Sequence, residues 1–247
     1  MTTSPSIAPL ELRGLGKRFG RLGVLRAIDL SVVPGEIVGL LGANGCGKTT
    51  LLSIAAGLLP PSSGERRWGT LAELDLPARL RLAFVAHSTQ LYARLSAREN
   101  LALPVELRRV AGEQRKDDID HLLERVGLAH AADRLAGTFS RGMQQRLAIA
   151  RALLGAPELL LLDEPFTALD HGGRATLGRI LLEERARGAA ILLSSHDLDA
   201  VADYTDRAVA MGEGRIVGEA KKAGDDYGAR IRKLGTTGAF EAAVLPA

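Results

Sequence analysis

The 247-residue sequence holds one cysteine, Cys46, and so has no partner for an intrachain disulfide. No Cys/His group has zinc-ligand spacing, and a reducing compartment fits this thiol usage. Nowhere does a run approach the ~20 apolar residues of a membrane helix. The best stretches, 159–162 and 189–193, are only strand-length, so the chain is not expected to cross a bilayer by itself. The opening MTTSPSIAPLEL lacks a basic start followed by an apolar core, and no secretory signal is read there. Charge of one sign is also short: 32 basic against 29 acidic residues leave +3, too slight an excess to imply a nucleic-acid partner. What is present, 46% hydrophobic and 25% charged residues, is ordinary for a globular chain, which at this length buries roughly 70–75% of its unfolded surface.

Along the chain, residues 8–33 carry short Leu/Val/Ile segments broken by GKRFGRLG, which predicts β-strands with a turn between them. Glu36 to Leu41 is a compact apolar strand, 42–47 is Gly-rich, and Lys48 to Leu59 predicts a helix ended by PPSSG. From about 95 to 155 helical periods dominate. One stripe is Ile119, Leu122, Leu123 and Val126, opened by Asp117 and Asp118; a second is Met143, Leu147, Ala150 and Leu154. The α/β rhythm then returns, with strands at 158–162 and 189–193, helices at 174–187 and 197–203, and a hairpin around Glu213 to Arg215. The stretch from Lys221 onward is weakly patterned.

Gly42 to Thr49 spells GANGCGKT, a GxxxxGKS/T match that lies after a strand and before a helix, where its mechanism requires it. Glycines let backbone N–H groups ring phosphate oxygens, the helix N-terminus adds partial positive charge, Lys48 reaches the terminal phosphates and Thr49 can ligate magnesium. Cys46 reads as a small spacer within the loop. Leu159 to Glu164 (LLLLDE) brings Asp163 and Glu164 out at the carboxyl end of a buried parallel strand, where ligands bind. One carboxylate holding magnesium and the next polarising water complete a phosphoanhydride hydrolase. Taken singly, these features are a Gly-rich turn and an acidic strand end; together they fit many P-loop proteins, kinases included.

Three further features narrow the field. Ser140 in SRGMQ is a candidate N-cap of the arginine-bearing helix, leaving N–H groups ready for an anion. His196 follows a strand in LLSSHD, beside the expected γ-phosphate, and Thr167 to Asp170 (TALD) follows the carboxylate pair. A P-loop kinase explains neither SRGM nor His196.

In this order the motifs resemble the nucleotide-binding subunit of ABC transporters, over about residues 8–220. The resemblance implies an α/β fold: a RecA-like P-loop NTPase core, an N-terminal antiparallel β subdomain and an α-helical subdomain inserted at about 91–155. The nucleotide-binding domain would span 1–220 and a C-terminal tail 221–247. It also implies ATP and Mg2+ as cofactors. By resemblance Phe19 stacks on adenine, and Gly42, Asn44, Gly45, Cys46, Gly47, Lys48, Thr49 and Thr50 surround the phosphates. Thr49 and Asp163 hold the metal, with Glu164, His196 and Lys48 as catalytic groups. Ser140 and Gly142 carry the signature that completes a partner's site in a head-to-tail pair, either a homodimer or a pseudo-symmetric dimer, and Asp170 belongs to the cross-dimer loop. A separate integral membrane permease subunit is implied, with the chain peripheral at the cytoplasmic face of the inner membrane.

Two positions depart from the family pattern. The signature reads FSRGMQ in place of LSGGQ, and His87 stands where a glutamine is usual, with Gln90 as the alternative. Both, with EPFTALD, are similar to the haem-exporter ATPase of bacterial cytochrome c maturation. An ABC-type ATPase acting on a non-membrane partner is the alternative, although such proteins typically carry two cassettes or a long coiled coil.

Overall fold

The computed structural model describes residues 6–110, 119–223 and 226–241. Asp117 and Asp118, expected to open a helix of the middle segment, lie outside the described residues.

Two sheets organise the chain. Leu10–Phe19 (β1) and Leu22–Val32 (β2) pair antiparallel through a turn at Gly20 and Arg21, narrower than the GKRFGRLG break suggested. Ser63–Trp68 (β4) joins β1 on its other edge, giving the order β2-β1-β4. The larger sheet is built on Ile37–Gly42 (β3), with Leu82–Val85 (β5), Leu159–Asp163 (β6), Ala190–Ser194 (β7), Arg207–Gly212 (β8) and Arg215–Lys221 (β9). Its order is β5-β6-β7-β3-β8-β9, parallel throughout except for the antiparallel β8–β9 hairpin.

Successive side chains on a strand point to opposite faces, so a parallel sheet covered on both sides reads as continuous apolar sequence. The core divides accordingly. Ile37, Leu160, Leu162, Ile191 and Leu193 face one cluster, which takes in the helical segment, whereas Val38, Leu40, Leu159, Leu161 and Leu192 face the other, under the small sheet.

Between β5 and β6 lie Ala97–Val110 (α3), Ile119–Arg125 (α4) and Arg141–Ala152 (α5). The predicted stripes are buried where they face the core, at Leu122, Leu123, Val126, Leu147, Ala150 and Leu154, with Ile119 and Met143 packed against it. Lys48–Ala55 (α1) is shorter than expected, because the chain enters the left-handed region at Gly57 (φ 76°) ahead of PPSSG. The remaining helices are Leu76–Arg79 (α2), His171–Ala186 (α6), Leu198–Tyr204 (α7) and Tyr227–Glu241 (α8). The last of these departs from the weakly patterned tail expected after Lys221. It buries Tyr227 and Ile231 and packs on α7, β8 and β9, and the Tyr227 hydroxyl lies 2.7 Å from the Thr205 hydroxyl. No helix among the described residues is long and apolar enough to cross a membrane.

Candidate functional site

β3 is an inner strand whose carboxyl end runs into the Gly-rich loop, and α1 leaves from it. Gly47 is the N-cap of α1 in the left-handed conformation (φ 108°) and supplies no capping side chain, so the first N–H groups of the helix are left for an external acceptor. A Cβ at Gly47 would lie 2.7 Å from Leu25 Cδ2 and 3.2 Å from the Val24 carbonyl. At Gly42 (φ 148°) it would lie 2.5 Å from the Met211 carbonyl and 2.7 Å from Cys46 Sγ. Both positions therefore require glycine.

The loop and the ends of β6 and β7 enclose a cavity of about 650 Å³, whose lining includes Asn44, Gly45, Lys48, Thr49, Thr50 and His87, with Asp163, Glu164 and His196 opposite. Lys48 Nζ donates to the carbonyls of Gly42 (2.7 Å) and Ala43 (3.2 Å) and stands 4.0 Å from Glu164 Oε1. Thr49 Oγ1 donates to Asp163 Oδ2 at 2.7 Å, and Ser194 Oγ donates to Asp163 Oδ1 at 2.6 Å. The backbone N–H of Glu164 in turn donates to Ser194 Oγ at 2.9 Å. Glu164 sits at φ 53°, an uncommon conformation for a side chain of its size, and its Oε2 accepts from the His196 backbone N–H (3.2 Å) and lies 2.7 Å from His196 Nδ1.

Ser194 was not among the residues singled out by sequence. Its signal is positional: β6 and β7 pair in parallel with Asp163 opposite Ser194, so the hydroxyl of LLSSHD and the carboxylate of LLLLDE meet at the carboxyl ends of the two strands. Val24 and Thr167 also line the cavity.

Several expected residues lie off it. Cys46 is buried in the cluster beneath the small sheet, with its thiol pKa raised by burial against the opposing pull of Lys48, in keeping with a spacer. Phe19 is half-exposed at the end of β1, with Lys17 Nζ 5.1 Å from its ring centre. Ser140 caps α5, accepting from the Met143 N–H at 3.3 Å. A Cβ at Gly142 would lie 2.8 Å from the Ala168 carbonyl, so the signature helix and the TALD turn touch there. Asp170 caps α6, accepting from the Gly173 N–H at 2.7 Å. A second cavity of about 410 Å³ joins the first at His87, Glu164 and Thr167 and is lined from the signature side by Arg141, Gln144 and Gln145. His87 faces both cavities, whereas Gln90 lines neither and its carbonyl is taken by Arg151.

An uncapped helix behind a glycine loop, a buried lysine folded over it and two carboxylates at the end of β6, one strand removed from β3, define a P-loop NTPase. A family model described as ABC transporter matches residues 25–167, more than half of the sequence. The chain belongs to the ABC transporter family and matches it over the ATP-binding cassette. It is 39% identical over 210 residues to the aliphatic sulfonates import ATP-binding protein 2 of Paracoccus denitrificans (85% of this chain, 80% of that one). It is 37% identical over 214 residues to the sulfate/thiosulfate import ATP-binding protein 1 of Shewanella oneidensis (84% and 57%). Against other relatives the chain spans less still, 34% of the macrolide export ATP-binding/permease protein 1 of Aeromonas hydrophila. Among solved structures, an ATP-binding subunit of an ABC transporter superposes with TM-score 0.78 at 29% identity, covering 92% of this chain and 95% of that one. A dimeric, post-hydrolysis ATP-binding cassette bound to ADP and Pi superposes with TM-score 0.78 at 26% identity (87% and 99%).

Proposed function

We propose that the chain hydrolyses MgATP as one half of a head-to-tail pair of cassettes and drives a separate integral membrane permease, peripheral at the cytoplasmic face of the inner membrane. The observation that carries this reading is the convergence of Lys48, Thr49, Asp163, Glu164, His87 and His196 on one cavity beneath an uncapped helix. Ser140 and Gly142 lie off that cavity, which suits a signature that serves a partner's nucleotide.

The donor set fits magnesium. Thr49 and Asp163 offer a hydroxyl and a carboxylate already within hydrogen-bond distance, and no cluster of three His, Cys, Asp or Glu among the described residues forms a self-sufficient metal cage. An ion completed by substrate phosphates and water is what such a sparse oxygen site takes. When bound, it would neutralise charge on the terminal phosphates. Lys48 would exchange the Gly42 and Ala43 carbonyls for phosphate oxygens. Glu164, oriented by the backbone and ring of His196, would accept the proton of the attacking water. His87 would relay hydrogen bonding between the two cavities it lines. We assign the cassette to 1–220, the inserted helical part to about 91–155 and the tail to 221–247, within which α8 packs back on α7, β8 and β9.

At the finer level our reading is haem export, resting on FSRGMQ, His87 and EPFTALD in the sequence. The relatives named above are sulfonate, sulfate and macrolide proteins, so their names lend that reading no weight. The pairing is tested by sedimentation of Glu164→Gln with and without MgATP. Dimer with nucleotide and monomer without is expected, and a monomer at saturating MgATP and high protein concentration contradicts it. Purification in mild detergent with the co-purifying membrane protein identified tests the partner. Recovery without any integral membrane protein would favour the non-membrane alternative.

A further inference from the structure

The loop that carries His87 is fastened to the signature helix by one side chain. Arg151, in the last turn of α5, donates from Nη1 to the Gln90 carbonyl and from Nη2 to the Thr89 carbonyl, both at 2.7 Å. A guanidinium presents its donors in a fixed planar fork, so gripping two consecutive carbonyls sets the orientation of that segment as well as its distance. Gln90 sits at φ 49°, a conformation that a residue with a side chain adopts at some cost and that the grip helps to hold. No carboxylate pairs with Arg151 among the described residues; its two carbonyl bonds are the partners its charge has here. Burial draws the guanidinium below its ordinary pKa, so the cation is kept there against desolvation.

The position of this grip matters more than its strength. At its start α5 bears Ser140, Arg141 and Gly142, and Arg141, Gln144 and Gln145 line the cavity that His87 and Glu164 share. At its far end Arg151 holds residues 89 and 90, two and three positions beyond His87. Arg151 also lines a surface groove of about 310 Å³ together with Tyr92 and Leu107, both exposed. One helix therefore lines the second cavity, beside Glu164, near one end and sets the His87 loop from the other.

We propose that Arg151 is a positioning residue for ATP hydrolysis, holding the loop after β5 so that His87 stays on the wall of the nucleotide cavity. The proposal rests on the reading of His87 as a relay given above.

The test is a double-mutant cycle in steady-state ATPase assays of the full chain, with Arg151→Met, His87→Ala and the combination, and Arg151→Lys as a milder variant that retains the charge. Arg151→Met is expected to lower kcat about tenfold, as a modest misplacement of a reacting group does, with KM for ATP within about twofold. Arg151→Lys, able to reach one carbonyl at a time, should fall between. In the His87→Ala background Arg151→Met should cost nothing further, because the residue it positions is gone. If the two losses multiply, Arg151 acts as a general brace and the proposal is overturned while the His87 reading stands. An unchanged kcat in a folded Arg151→Met protein likewise overturns it. A silent His87→Ala removes the relay reading and the proposal with it. If Arg151→Met does not fold, the same cycle run with Arg151→Lys decides between these outcomes.

Discussion

Replacing Ser194 by alanine isolates a side-chain contact between β6 and β7. The hydroxyl is fully buried, donates to Asp163 Oδ1 at 2.6 Å and accepts from the Glu164 N–H at 2.9 Å. Its removal takes a hydrogen bond from a carboxylate, worth about 1.5–3 kcal/mol, and strands a backbone donor, which costs about 1–3 kcal/mol when buried. Thr49 still serves Asp163 at its other oxygen, and the lower half of these ranges applies because the adjoining cavity admits water. A net loss of about 3 kcal/mol, at about 2–4 °C per kcal/mol for a chain of this length, lowers Tm by about 6–12 °C. The assay is thermal unfolding of wild type and Ser194→Ala, with Ser195→Ala for comparison, since the Ser195 hydroxyl accepts from the Asp197 N–H but, among the described residues, bonds to no carboxylate. A Tm within about 2 °C of wild type for Ser194→Ala would refute the reasoning, because it would mean that the hydroxyl bears no part of either partner's desolvation.

Two further outcomes follow from named contacts. Gly47→Ala should lower ATP affinity at least about tenfold in nucleotide-binding titrations, since φ 108° and a Cβ 3.2 Å from the Val24 carbonyl force the phosphate loop to shift; wild-type affinity would contradict this. Glu183 is opposed by burial, which raises its pKa, but Arg125 and Arg179 hold it below the usual carboxylate range. Its folded value is thus the lower one, so the unfolded chain takes up more protons as pH falls. This stabilisation is complete above the ordinary carboxylate pKa and is lost as pH falls through the folded value. Glu183→Gln should therefore flatten the loss of Tm below about pH 4.5, and an unchanged acid slope would show that the ion pairs do not carry it.

The parts legible in sequence are those where local chemistry and fold demand the same residues. GANGCGKT had to be a loop because three of its glycines take positive φ, and LLLLDE had to be a buried strand because both its faces are covered. Ser140 was readable as a cap because its side chain does the capping itself. β4 went unseen because Ser63–Trp68 is an edge strand with mostly exposed, charged side chains and no apolar alternation. The four residues of β5 are too few to show a period. The helix α8 was hidden by Gly228 and Gly235, although Tyr227, Ile231 and Leu234 keep helical spacing on its packed face. The Ser194 contact belongs to strand register, which only the assembled sheet sets.

The central claim, that this cavity hydrolyses ATP with Glu164 as its base, is tested most directly by comparing nucleotide binding and turnover in Glu164→Gln. The amide keeps the size of the side chain and an acceptor oxygen toward His196 but gives up the negative charge that makes the carboxylate a base. Binding of ATP close to wild type with turnover slowed about 10²–10⁴-fold is the result the account predicts. Turnover at the wild-type rate in that protein would contradict it and move the base elsewhere in the cavity.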